Sequence, residues 1–183
     1  MIHYHGLKII YNTAMNSKKI TTFSKLVSSV FYIGYFPLRG GGSWAALFCL
    51  IYFILLRYLL VDFFDLSENL FFIINLIILI LYLPLGIFTI NRSISKDDPD
   101  PHHVVFDEWV GMYIPVVILE YNLFAFILAF FIFRFFDIFK PYPINKFEDL
   151  PKAYGVLGDD IVAGVFTLIF VLIIESFIEL PVI

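Results

Sequence analysis

Cysteine is almost missing from this chain: Cys49 stands alone, inside an apolar run. No intramolecular disulfide is therefore possible, and the redox compartment leaves no mark on the sequence. Charge is also scarce. Asp, Glu, Lys and Arg make up 15% of the 183 residues, and a net charge of −4 provides no clustered basic face of the kind that nucleic-acid binders carry. The polar first 22 residues contain Lys8, Lys18 and Lys19 but lack an apolar core leading to a small-residue cleavage site, so no cleavable signal peptide is expected. Met15, in MNSKK, offers a second start. No internal repeat, low-complexity tract or linker divides the rest. Residues 1–22 read as a polar cytoplasmic segment and residues 23–183 as one membrane-embedded catalytic domain.

Apolar residues are present in excess. They make up 61% of the chain, with 23 Phe among them, against roughly 45–50% in a soluble domain. This is the composition of an integral membrane protein. Residues 43–61 and 70–90 each approach the ~20 apolar residues needed to span a ~30 Å hydrocarbon core, and backbone groups in lipid must bond within their own segment, as a helix allows. Residues 104–136 are interrupted by Glu120, Tyr121 and Asn122, which predicts a helical hairpin. Residues 161–180 form the last run. The expected fold is an all-α compact bundle of about five transmembrane helices, with an interfacial or re-entrant helix near residues 26–38, where Gly34 and Pro37 break the apolar pattern.

Charge orients this bundle. With five crossings and a cytoplasmic N-terminus, eleven of the twelve Lys and Arg lie on the inner side and only Arg57 near the outer, as the positive-inside rule favours. The acids follow the same division. Asp62, Asp65, Glu68, Glu120, Glu175 and Glu179 fall outside, scattered in turns and helix ends. Ten lie inside, clustered in SKDDPDPHHVVFDEWVGM, around Asp137, at Glu148 and Asp149, and in LGDDIVAG. Asp107-Glu108 and Asp159-Asp160 are each expected at a helix start, where the dipole favours negative charge. Capping needs only one short acceptor, whereas adjacent carboxylate pairs at membrane depth are costly and point to function. Ala163 and Gly164, one turn on, allow another helix to approach beneath them.

In FRFFDIFKPYPI, Arg134, Asp137 and Lys140 stand three apart. That spacing puts them along one helical stripe, and Pro141 and Pro143 stop the helix directly afterwards. A phosphate with a divalent cation would use all three, the carboxylate on metal and the cations on phosphoryl oxygens. Hard oxygen ligands without a Cys/His framework suggest Mg²⁺ or Mn²⁺ rather than zinc. GYFPLRGGGSW lacks the Walker pattern, yet Arg39 and three glycines before a helix present N–H groups suited to a phosphate. His102 and His103 are adjacent in a loop and unsuited to chelation; solvent exposure is their default reading, and a role for one of them as proton donor or phosphate contact is the alternative.

DP…VVFDEWVGM, FRFFDIFKPYPI and GVLGDDIVAGV, over roughly residues 97–165, together resemble the phosphatidylglycerophosphatase A family, with a weaker likeness over residues 34–47. The resemblance implies a small multi-pass enzyme of the bacterial inner membrane, its site facing the cytoplasm. It also implies Mg²⁺-dependent removal of the terminal phosphate of phosphatidylglycerophosphate to give phosphatidylglycerol. Asp107, Glu108, Asp137, Asp159 and Asp160 are then the candidate catalytic and metal-binding carboxylates. Arg134, Lys140, Arg39 and His103 are the candidate phosphate contacts. The sequence departs from the family at LRGGGS, where Pro-Gly-Thr usually precedes Gly-Ser, at His103, where Glu is frequent, and at KAYG, which replaces Gly-Gly-x-Gly. Attack by water and an aspartyl-phosphate intermediate both fit these residues. A CDP-alcohol phosphotransferase would need a spaced Asp pattern on a long helix pair, which is absent. A transporter should hold its charges near the midplane of a repeat, and here they cluster at one end.

Overall fold

The computed structural model describes residues 22–36, 40–95 and 98–178. Residues 1–21, Arg39, Lys96, Asp97 and Glu179 lie outside these segments, and with them the expectations for the N-terminal segment and for Arg39 as a phosphate contact. Among the described residues all regular structure is helical.

A seven-residue helix, α1 (Thr22–Ser28), leads through a 3₁₀ turn (Ile33–Tyr35) to α2 (Gly41–Arg57), which continues as a π-helical turn (Tyr58–Phe63). Ser67 caps α3 (Glu68–Ser93), its hydroxyl accepting from the Leu70 N–H at 3.4 Å. Pro84 lies within α3 and does not end it. The hairpin follows as α4 (Phe106–Ile118) and α5 (Leu123–Phe139), with Asn122 Oδ1 accepting from the Phe124 and Ala125 N–H groups at 2.9 and 3.3 Å. The break therefore falls at the polar Glu120–Asn122 turn, where short side chains compete for the backbone. A short α6 (Ile144–Glu148) precedes α7 (Ala153–Phe177).

Among the described residues, three helices are long and apolar enough to cross a membrane: Gly41–Phe63, Glu68–Ser93 and Ala153–Phe177. The hairpin helices are shorter, 13 and 17 residues, or about 20 and 26 Å at 1.5 Å per residue. α7 corrects the sequence reading, which began it at residue 161. It starts eight residues earlier, so Asp159 and Asp160 lie about two turns inside the helix rather than at its cap.

Packing fixes these helices tightly around α4. A Cβ on Gly164 would collide with the Gly111 carbonyl, and one on Gly111 would come within 2.6 Å of the Asp160 carbonyl and 2.7 Å of the Phe133 ring. α4 and α7 thus touch backbone to backbone, the close approach expected for small residues between membrane helices. Phe53, Tyr113, Phe126 and Phe133 fill the core around this crossing. Within it the Tyr113 hydroxyl donates to Asn75 Oδ1 at 2.5 Å, and Asn75 Nδ2 donates to the Phe71 carbonyl at 2.8 Å. Large apolar side chains on α3, α5 and α7 face outward, as lipid contact requires.

Candidate functional site

At one end of the bundle the first turn of α2, the loop before α4, the end of α5 and the start of α7 enclose a cavity of about 910 Å³. The backbone builds it before any side chain does. The Val105 N–H donates to the Ser28 carbonyl at 2.8 Å, and the Ser28 and Ser93 hydroxyls are 2.8 Å apart, so α1 and α3 together fix where α4 begins. That sets Asp107 and Glu108 in the first turn of α4, facing inward. The glycine crossing then brings Asp160 of α7 to the same place.

Asp107, Glu108 and Asp160 each offer a carboxylate oxygen within 4.8 Å of the other two. Asp107 and Asp160 are buried, and Glu108 nearly so. Among the described residues, Asp107 Oδ1, Glu108 Oε2 and Asp160 Oδ1 have no hydrogen-bond partner. Three like charges with bare buried oxygens are unstable alone, because burial of an unpaired charge is expensive. A divalent cation with hard oxygen ligands matches this donor set.

The cations form the adjoining wall. Arg134 is ion-paired with Asp137 one turn away, and its Nε is buried without a partner among the described residues. Directly above, α2 begins with glycines, and a Cβ on Gly42 would strike Glu108 Oε1 and come within 3.1 Å of Arg134 Nη1. Lys140 does not continue the α5 stripe. It leaves the helix as its left-handed C-cap, φ 41°, which swings Nζ to 2.6 Å from Asp159 Oδ2 and 3.2 Å from Glu148 Oε1. The five expected carboxylates therefore divide: three group around one point, while Asp137 and Asp159 each hold a cation. His102 lines the cavity but His103 does not. The His103 ring stacks on Tyr35 with centroids 4.9 Å apart, and burial, opposed by Asp98, holds its imidazole below the ordinary value.

A family model described as phosphatidylglycerophosphatase A matches residues 26–175. The chain belongs to this phosphatidylglycerophosphatase A family. A protein of Bacteroides thetaiotaomicron named putative phosphatidylinositol-3-phosphatase is 34% identical over 149 residues, which cover 80% of this chain and 89% of that protein. Phosphatidylglycerophosphatase A of Haemophilus influenzae is 34% identical over 94 residues, 50% of this chain and 58% of that one. Phosphatidylglycerophosphatase A of Escherichia coli is 34% identical over 95 residues, covering 50% and 55% respectively. No solved structure matches the chain.

Some contributors to this family member's site escaped the sequence reading. Gly111 carries no charge, and its signal was its place one turn after Glu108, the counterpart of Gly164 one turn after Asp160. Glu148 had been grouped with the inner acids, but its contact with Lys140 depends on how the chain folds back after Pro141 and Pro143.

Proposed function

We propose that the protein hydrolyses the terminal phosphomonoester of phosphatidylglycerophosphate, releasing inorganic phosphate and phosphatidylglycerol, and that it does so with Mg²⁺. The observation that carries this reading is the set of bare buried oxygens on Asp107, Glu108 and Asp160 beside Arg134, within motifs that the family model covers. Asp107, Glu108 and Asp160 would hold the ion, which when bound supplies Lewis acidity and lowers the pKa of a coordinated water. Arg134, held in the cavity by Asp137, neutralises charge on the phosphoryl oxygens as the P–O ester bond breaks. Lys140 adds a second positive charge, fixed by Asp159 and Glu148. The first turn of α2 packs against Glu108 and Arg134, and the lack of a side chain at Gly42 is what lets its backbone approach both. Water is the nucleophile in this account, since no aspartate lies in a recognisable phosphoenzyme motif.

The test is phosphate release from purified protein in mixed micelles, with and without Mg²⁺. A phosphatidylinositol 3-phosphate arm is added because of the Bacteroides relative. Phosphatidylglycerophosphate should be turned over fastest, and no release from it with Mg²⁺ present would refute the reading.

We further propose that residues 23–183 form one catalytic unit with five crossings of the bacterial inner membrane, N-terminus and cavity on the cytoplasmic side. The successive direction reversals of α2, α3, α4, α5 and α7 and the one-sided distribution of cations support this. A cysteine at Asn122 should react with an impermeant thiol reagent in intact cells and one at Asn145 should not; the reverse pattern would overturn the topology.

A further inference from the structure

Lys152 stands where a lysine is doubly disfavoured. It occupies the N-cap position of α7 with φ 58° and ψ −139°, a region that glycine enters freely and that residues with a Cβ avoid. Its carbonyl accepts from the Gly155 and Val156 N–H groups at 3.0 and 3.4 Å, so the strained backbone is locked into the start of the helix. Its side chain makes no capping bond, and a cation at a helix N-terminus opposes the macrodipole. Local structure gives no reason for the residue. Its surroundings do, because Lys152 is exposed and lines the same cavity as Arg134 and Lys140. Arg134 is paired with Asp137, and Lys140 with Asp159 and Glu148. Lys152 is the remaining cation of the cavity wall without an ion pair among the described residues.

We infer that Lys152 is a specificity residue that binds a second anionic group of the substrate, the phosphodiester linking the headgroup to diacylglycerol. This rests on the reading above, in which the terminal phosphomonoester occupies the Arg134 side of the cavity. A lipid with two phosphates then meets two separate cationic points, and a free phosphate meets one. After hydrolysis the two products separate the contacts: phosphatidylglycerol keeps the diester, and inorganic phosphate keeps only what the reacting end recognises.

Product inhibition therefore isolates Lys152. In purified protein in mixed micelles, Lys152→Met and Lys152→Gly should each raise the Ki of phosphatidylglycerol about tenfold, as loss of one charged hydrogen bond would. The Ki of inorganic phosphate should stay within about twofold on the same reasoning, and Lys152→Arg should retain phosphatidylglycerol inhibition. The glycine variant removes the charge while relieving the backbone, so a loss in both variants is not a folding defect. Unchanged phosphatidylglycerol inhibition in both, or an equal rise for both products, would overturn the inference. Absence of wild-type turnover would instead sink the phosphatase reading. Direct binding of phosphatidylglycerol micelles to wild type and Lys152→Met then decides: weaker binding by the variant supports the contact and equal binding refutes it.

Discussion

Arg57 and Arg134 are two arginines buried to nearly the same extent at opposite ends of the same bundle, with side chains 13% and 15% exposed. Each keeps a buried Nε without a partner among the described residues. Their surroundings differ. Arg57 spends both terminal nitrogens on carboxylates, Nη1 at 3.0 Å from both oxygens of Asp62 and Nη2 on Glu68, and its Cζ lies 4.1 Å from the Tyr121 ring centroid. Arg134 has one carboxylate, Asp137, and beyond it three acids with bare oxygens. At Arg57 one cation faces two carboxylates that are 47% and 60% exposed, so water screens the excess charge while the pairs tie α2 to the π turn and α3. Around Arg134 the charges do not cancel, and the excess is negative, which an incoming cation would correct. A buried arginine is thus common to both ends, and surplus carboxylates are buried at only one.

Removing the imbalance should do the most damage. EDTA should abolish phosphate release and Mg²⁺ restore it, and Asp160→Asn should lower turnover by about 10²-fold or more, the scale of losing a preorganised charge contact. Full activity in EDTA would erase the contrast and return the cluster to a structural role. The two arginines give the next largest difference. Arg134→Lys replaces a planar, bidentate donor with a point charge and should cut turnover about tenfold, a loss of ~1.4 kcal/mol in transition-state stabilisation. Arg57→Lys should leave turnover near wild type and cost less than about 1 kcal/mol of stability, since its partners are half exposed. Equal kinetic losses at the two positions would show that the two arginines do not differ in role. Phe135→Leu, on the outward face beside Arg134, should be milder than Arg134→Lys in the same assay; if Phe135→Leu abolishes release while Arg134→Lys does not, Arg134 is only an anchor.

The smallest effect concerns the loop behind the cavity. Burial lowers the His103 pKa in the folded protein, so the fold favours the neutral ring. The wild type should lose stability as the pH falls through the ordinary value of 6.5 and level off once below the folded value. His103→Gln should lack this slope in thermal unfolding, and an identical slope would show that other groups cause it.

Helices and their turns were largely legible in the sequence because lipid leaves the backbone few options. The Glu120–Asn122 break and the long apolar runs carried that signal directly. The carboxylates and cations of the cavity were legible as residues, since charge at membrane depth stands out against Phe and Ile. Their partners were not. Lys140 was expected on a stripe with Arg134, but a left-handed C-cap turns it toward α7, and nothing in one-dimensional spacing reports that change of direction. The early start of α7 was hidden by Gly155 and Gly158, poor helix formers, and by the aspartate pair that follows them. His103 was expected as the phosphate contact, but its ring stacks on Tyr35 and His102 lines the cavity instead.

The inequality of the helices has a consequence for how a lipid would be handled. α3 runs for 26 residues and α4 for 13, about 39 and 20 Å, yet both approach Arg57 and its neighbours at the same end of the bundle. The start of α4, with Asp107 and Glu108, is therefore recessed relative to the far end of α3, and the cavity forms a well sunk beneath its own rim. A headgroup attached to two acyl chains need not be lifted out of the bilayer to reach such a floor. With the membrane placement proposed above, such a lipid would sink its terminal phosphate toward that floor while its tails stay in hydrocarbon.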